Sequence, residues 1–122
     1  MENRERRRLK RCQLLYYLKI FDADTEELVG RLIDINVEGL KLVSTASIQV
    51  GAVFNLIMDL PIQIFGQRAV KCSARCQWCR PDVNPSYFAA GFQYIDPTQE
   101  ESEIISALIT NYIFQDRGPG GN

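Results

Sequence analysis

The sequence contains no histidine among its 122 residues. The side chain that most often acts as a general base near neutral pH, and the commonest metal ligand, is therefore missing. It also has no glycine-rich phosphate loop, no nucleophile elbow and no pair of carboxylates placed for acid–base work, so nothing in it points to catalysis. No apolar run approaches the roughly 18 residues that a membrane span needs. The positive N-terminus leads into Leu14–Phe21, but Lys19 breaks that segment and no small-residue cleavage site follows. No secretory signal is expected, and the expected location is the cytoplasm. The four cysteines, Cys12, Cys72, Cys76 and Cys79, are then reduced thiols.

What is present is a sharp charge asymmetry. Six of the 14 Lys and Arg fall within residues 1–11, against Glu2 and Glu5, although the whole chain has a net charge of −1. A basic arm on a mildly acidic body suits a local anionic ligand better than a long nucleic acid. By length the chain is one domain. Residues 1–11 form the arm, which has no apolar anchor and is expected to be mobile until a ligand binds. Residues 12–115 form the folded body, and 116–122 a loose glycine-rich tail.

Within the body, strand-like stretches follow one another at short intervals: Cys12–Asp22, Leu28–Ile35, Gly39–Ser44, Ala52–Leu60, Arg68–Cys79 and Tyr87–Ile95. Pro61–Gly66 is expected to turn the chain. Arg68–Cys79 has the cleanest period of two, with Val70, Cys72, Ala74, Cys76 and Trp78 on one face. That alternation places Cys79 on the opposite face unless a bulge intervenes. Cys76 and Cys79 have metal-like or redox-like spacing, but a structural zinc site needs four ligands and only distant Cys12 remains. The thiols are read as small apolar side chains, and no metal is expected. The period then becomes helical at Ile104, Ile105, Leu108, Ile109, Tyr112 and Ile113, and the helix is expected to run to about Gln115. Two starts are open: Asp96 with Pro97, or Thr98 with Glu101 as a capping box. Six short antiparallel strands and one helix predict an all-β fold, a six-stranded barrel with a C-terminal α-helix covering one end or side.

The stretch Asp34-Ile35-Asn36-Val37-Glu38-Gly39 interrupts this pattern between the second and third strands. Asp, Asn and Gly are ordinary turn residues. Alongside Arg7-Arg8-Leu9-Lys10-Arg11, however, the stretch resembles the second of the two motifs of the PilZ domain family, bacterial receptors for cyclic di-GMP. The first motif is R-x-x-x-R just before the first strand, and Arg7 and Arg11 fit it with Arg8 between them. Arg4 and Arg8 share the spacing, but Arg7 and Arg11 abut the strand. The second is [D/N]-x-S-x-x-G, fitted by Asp34, Asn36 and Gly39, with Asn36 where the family usually has Ser. The strand order, Trp78 near the end of the fifth strand and the closing helix are also similar, over residues 6–115.

The resemblance implies a non-catalytic receptor that couples cyclic di-GMP to a partner protein in motility, exopolysaccharide synthesis or virulence. The implied ligand-binding residues are Arg7, Arg8, Arg11, Asp34, Asn36, Gly39 and Trp78. Arg can bind guanine O6 and N7 or phosphate oxygens in bidentate fashion. A carboxylate at Asp34 can accept from guanine N1–H and N2–H, and Gly39 permits φ > 0 or a close backbone approach. The alternative is a PilZ-like adaptor that has lost the ligand and acts through protein contacts. A small barrel binding single-stranded nucleic acid is disfavoured, because its strands carry few basic residues.

Overall fold

The computed structural model describes residues 18–111. Six strands make up the β structure: β1 (Lys19–Asp22), β2 (Leu28–Ile35), β3 (Gly39–Ser44), β4 (Val53–Ile64), β5 (Gln67–Pro81) and β6 (Phe88–Tyr94). All neighbours are antiparallel, and the sheet closes in the order β1-β2-β3-β6-β5-β4. A helix, α1 (Gln99–Ile109), follows among the described residues. Closure leaves no free sheet edge, the usual hazard of an all-β chain.

The interior is filled by the inward halves of alternating strands. Ile20, Leu32, Leu42, Leu56, Met58, Val70, Cys72, Ala74, Cys76, Ala90 and Phe92 are all buried. Phe54 meets Phe92 edge to face at 5.7 Å between ring centroids. Ile104, Ile105 and Leu108 on α1 join the same core, so the helix closes the barrel against β4 and β5. Of the two possible helix starts, the chain uses Thr98. Its Oγ1 accepts from the Glu101 N–H (3.1 Å), and Glu101 Oε1 accepts from the Thr98 N–H (3.0 Å).

β2 and β3 have the boundaries expected from the sequence. β1 begins at Lys19, and the expected stretch 12–17 lies outside the described residues, as do the arm, the end of the helix beyond 111 and the tail. Two expectations need correction. Pro61 does not turn the chain: β4 runs through it to Ile64. The chain reverses instead at Phe65 and Gly66, whose positive φ values of 51° and 79° are those of a tight hairpin turn. The proline is tolerated because the pairing with β5 lapses between Asp59 and Ile64, where a missing N–H costs no ladder bond.

The second correction concerns Trp78. The period of two in β5 breaks, because Cys76 pairs with Phe92 but Trp78 pairs with the next residue on β6, Gly91. Gln77 is the extra residue of a β-bulge. The bulge turns Trp78 to the outer face and brings Cys79 back toward the core, the reverse of the unbroken alternation. Cys79 Sγ accepts from the Ile48 N–H at 3.4 Å, and the Cys76 thiol donates to the Trp78 carbonyl at 3.4 Å.

Candidate functional site

A second bulge lies in β2. Leu32 pairs with Leu42, but Asp34, not Ile33, pairs with Lys41. Without the extra residue Asp34 would point into the barrel. With it, Asp34 faces out while Leu32 and Ile35 remain buried. The two bulges therefore complete one outward-facing row across four strands. Asp34 pairs with Lys41, Lys41 with Gly91, and Gly91 with Trp78. At the usual strand spacing such a row spans about 14 Å. Bulges commonly re-aim side chains beside binding sites, and here one stands at each end of the row.

The row forms the floor of a concave surface of about 260 Å³, which also includes Asn36, Glu38, Gly39, Gln77 and Gln93. Its β2–β3 end is a closed turn. Asn36 Oδ1 accepts from the N–H groups of Glu38 (2.8 Å) and Gly39 (3.0 Å), and the Asn36 N–H donates to the Gly39 carbonyl (2.9 Å). The Glu38 carbonyl accepts from the Tyr94 N–H at 3.0 Å, which ties the turn to β6. The Asn36 side-chain oxygen is thus committed to the backbone. Its Nδ2 has no partner among the described residues.

Gly39 is needed for close approach rather than for positive φ. A Cβ there would run into the Phe92 carbonyl of the adjoining strand, a backbone group with little freedom to yield. Asp34 Oδ1 accepts from the Ile35 N–H at 2.9 Å, which fixes the carboxylate beside the turn.

At the β5 end the Trp78 indole packs onto Gly91, occupying the space that a Cβ would need. The Arg80 guanidinium lies over the ring, 4.3 Å from its centroid, in a cation–π contact. Two small residues, Gly91 and Ala89, stand opposite Trp78 and Arg80, so both long side chains can lie across β6.

The structure thus brings together Asp34, Asn36, Gly39 and Trp78, four of the seven residues implicated by the sequence. Arg7, Arg8 and Arg11 lie outside the described residues. Lys41, Gln77, Arg80, Gly91 and Gln93 are additions. Two of them left a trace in the sequence. Arg80 follows Trp78 by two positions on the same strand, and a glycine inside a strand marks a place where something approaches closely.

Burial, and then neighbouring Cys79, push the pKa of the buried Cys76 thiol below this surface up from its ordinary value. Among the described residues no three His, Cys, Asp or Glu side chains are grouped to hold a metal, and no helix is long and apolar enough to cross a membrane.

Comparison with solved structures returns the same barrel. An inhibitor of motility from Bacillus subtilis (MotI/DgrA) is similar at a TM-score of 0.65 and 18% identity, covering 84% of this chain and 47% of that one. The PilZ domain of YcgR from Escherichia coli, described with c-di-GMP, is similar at 0.61 and 12% identity, covering 88% and 91%. MrkH from K. pneumonia, described as a c-di-GMP complex, is similar at 0.63 and 11% identity, covering 81% and 48%. The chain therefore spans about half the length of MotI and MrkH and most of the YcgR domain. No curated protein matches the sequence. The family model for the PilZ domain matches residues 5–115, a span that takes in both motifs, all six strands and the helix, and on that match the chain belongs to the PilZ domain family.

Proposed function

We propose that this domain is a non-catalytic receptor for cyclic di-GMP, which it holds between the basic arm and the concave outer face of the barrel. The observation that carries this reading is the pair of bulges. Each interrupts a well-formed strand to turn one side chain outward, and the two side chains are a carboxylate and an indole at opposite ends of one row. Asp34 offers an acceptor to the two adjacent donors of a guanine edge, which adenine does not present together. Trp78 offers apolar surface beside a base. Asn36 Nδ2 supplies a donor that a Ser hydroxyl would otherwise provide. Arg7, Arg8 and Arg11 supply the phosphate and Hoogsteen-edge contacts, and closure of the arm over the ligand creates the surface that a partner protein reads. The YcgR and MrkH structures, both described with c-di-GMP, support the choice of ligand.

The rival reading is an adaptor without ligand. It draws on the commitment of the Asn36 oxygen to its own turn. Calorimetric titration with cyclic di-GMP, cyclic di-AMP, GTP and a single-stranded oligonucleotide separates these cases. The receptor reading expects saturable binding of cyclic di-GMP alone. Silence from cyclic di-GMP at high micromolar concentration supports the adaptor, and preference for the oligonucleotide refutes both.

A further inference from the structure

Next to the Asp34–Lys41–Gly91–Trp78 row, about 7 Å farther along the strands, runs a second outward row. Lys19 pairs with Arg31, Arg31 with Val43, Val43 with Ala89, and Ala89 with Arg80. Three of its five members are cationic, and Lys41 of the first row adjoins it. Of the seven Lys and Arg among the described residues, four therefore share this face. The carboxylate of Asp34, beside the β2–β3 turn, lies diagonally opposite Arg80, so the two corners of the face differ in charge. A guanine nucleotide has the same polarity. The donor edge of its base is at one end, its phosphate is at the other, and the sugar separates them.

We propose that Arg80, whose guanidinium lies over the indole that rests on Gly91, and Lys41, which pairs with Gly91, form a phosphate site on the barrel itself, separate from the arginines of the arm. The inference rests on the cyclic di-GMP reading and fixes the ligand's direction, with a base toward Asp34 and a phosphate toward Arg80. The cation–π contact suits Arg80 to this task. The contact with Trp78 is made through the π face of the ring and uses none of the guanidinium's N–H donors, and no hydrogen bond to another described residue engages them. The indole orients the cation that binds the phosphate, and the chain's only tryptophan becomes a reporter of that event.

The test is calorimetry on the full chain with cyclic di-GMP, at low and physiological salt, alongside Trp78 emission. Arg80→Gln should weaken binding about tenfold and Lys41→Gln/Arg80→Gln about a hundredfold, on the scale of one charged hydrogen bond per cation. Both losses should shrink as salt rises. Arg80→Lys should recover part of the loss, because the charge returns without the fork. Ligand should change Trp78 emission in the unmutated protein and change it less in Arg80→Gln. Arg80 is exposed, so its single variant decides the matter if the double variant does not fold. If the unmutated protein fails to bind, the receptor reading falls and this inference with it. If it binds, Arg7→Ala/Arg11→Ala abolishes that binding, and Arg80→Gln stays within twofold of the unmutated protein, the arm alone carries the phosphates and this inference alone is overturned.

Discussion

Gly91→Ala is the most direct probe of how the outer row is assembled. An added Cβ would collide with three atoms of the Trp78 ring, Nε1, Cε2 and Cζ2, while every other outward position of β6 stays as it is. The ring cannot yield by rotating one terminal bond, because it is a rigid bicycle held below by the strand and by the Arg80 guanidinium. Two costs and one gain decide the sign. Overpacking costs about 1–3 kcal/mol. Loss of an exposed cation–π contact costs about 0.5–1 kcal/mol. Restricting the unfolded chain returns about 0.4–1 kcal/mol. The expected net destabilisation is about 1–3 kcal/mol, which for a domain of this size lowers the melting temperature by roughly 4–15 °C. Trp78 is the only tryptophan, so its emission should shift to the red as the ring lifts into water. Circular dichroism melting and a fluorescence spectrum measure both effects on one sample. A variant with unchanged melting temperature and unchanged emission would show that Trp78 does not rest on Gly91, and the row would lose its β5 end.

Three further expectations follow from the same geometry. Asp34→Ala should lose about 1.5–3 kcal/mol of cyclic di-GMP binding, or 10- to 150-fold; equal affinity of the unmutated protein for cyclic di-AMP refutes the assignment of the guanine edge. Arg7→Ala/Arg11→Ala should abolish binding and leave the melting temperature of the free domain nearly unchanged; a large drop in melting temperature would instead make the arm part of the fold. Burial raises the pKa of the Cys72 thiol from 9.0 to about 12, with a smaller contribution from Glu101, and burial also raises that of Tyr94. Both folded pKa values lie above the unfolded ones, so these groups stabilise the fold fully below pH 9 and progressively less as pH rises toward 12, by at most about 1.4 kcal/mol per pH unit per group. Thermal melts at pH 8 to 11 should show the decline, with a shallower slope in Cys72→Ala between pH 9 and 10; melting temperatures that stay flat across that range contradict the burial argument.

Much of this barrel is legible in the residue pattern. β2 and β3 were bounded by their apolar stretches and by the polar turn between them, and the helical stripe of Ile104, Ile105 and Leu108 is the face that packs. The thiols of Cys72 and Cys76 are buried as their alternation with Lys71, Ser73 and Arg75 implies. Pattern failed where pairing decides. Whether Pro61 ends a strand depends on whether β5 needs its N–H, and β5 does not. Whether Trp78 faces in depends on one extra residue in β5 relative to β6, and Gln77 is as polar as any outward residue of an unbroken strand. Arg80, Lys41 and Gly91 were invisible as a group because the row joins β2 and β3 to β5 and β6, so that Lys41 lies 39 positions from Arg80 and 50 from Gly91, and no local signal links them.

The β5 bulge also shows why the core and the site do not compete for the same residues. At this end of the barrel the interior is built from small side chains: Ala74, Cys76 and Ala90 are buried, and Phe92 fills most of the remaining space against Phe54. An unbroken β5 would set Trp78 opposite Ala90 and drive an indole into that space, where close-packed interiors tolerate even an added methylene poorly. Inserting Gln77 substitutes Cys79 for Trp78 at the inward position, a side chain small enough to pack against the core. The same step sends the indole onto the one β6 residue without a Cβ. Likewise, Ile33 in β2 lets Ile35 stay in the core while Asp34 reaches the surface. Each bulge thus satisfies a packing requirement inside and turns a carboxylate or an indole to the outer face in the same step.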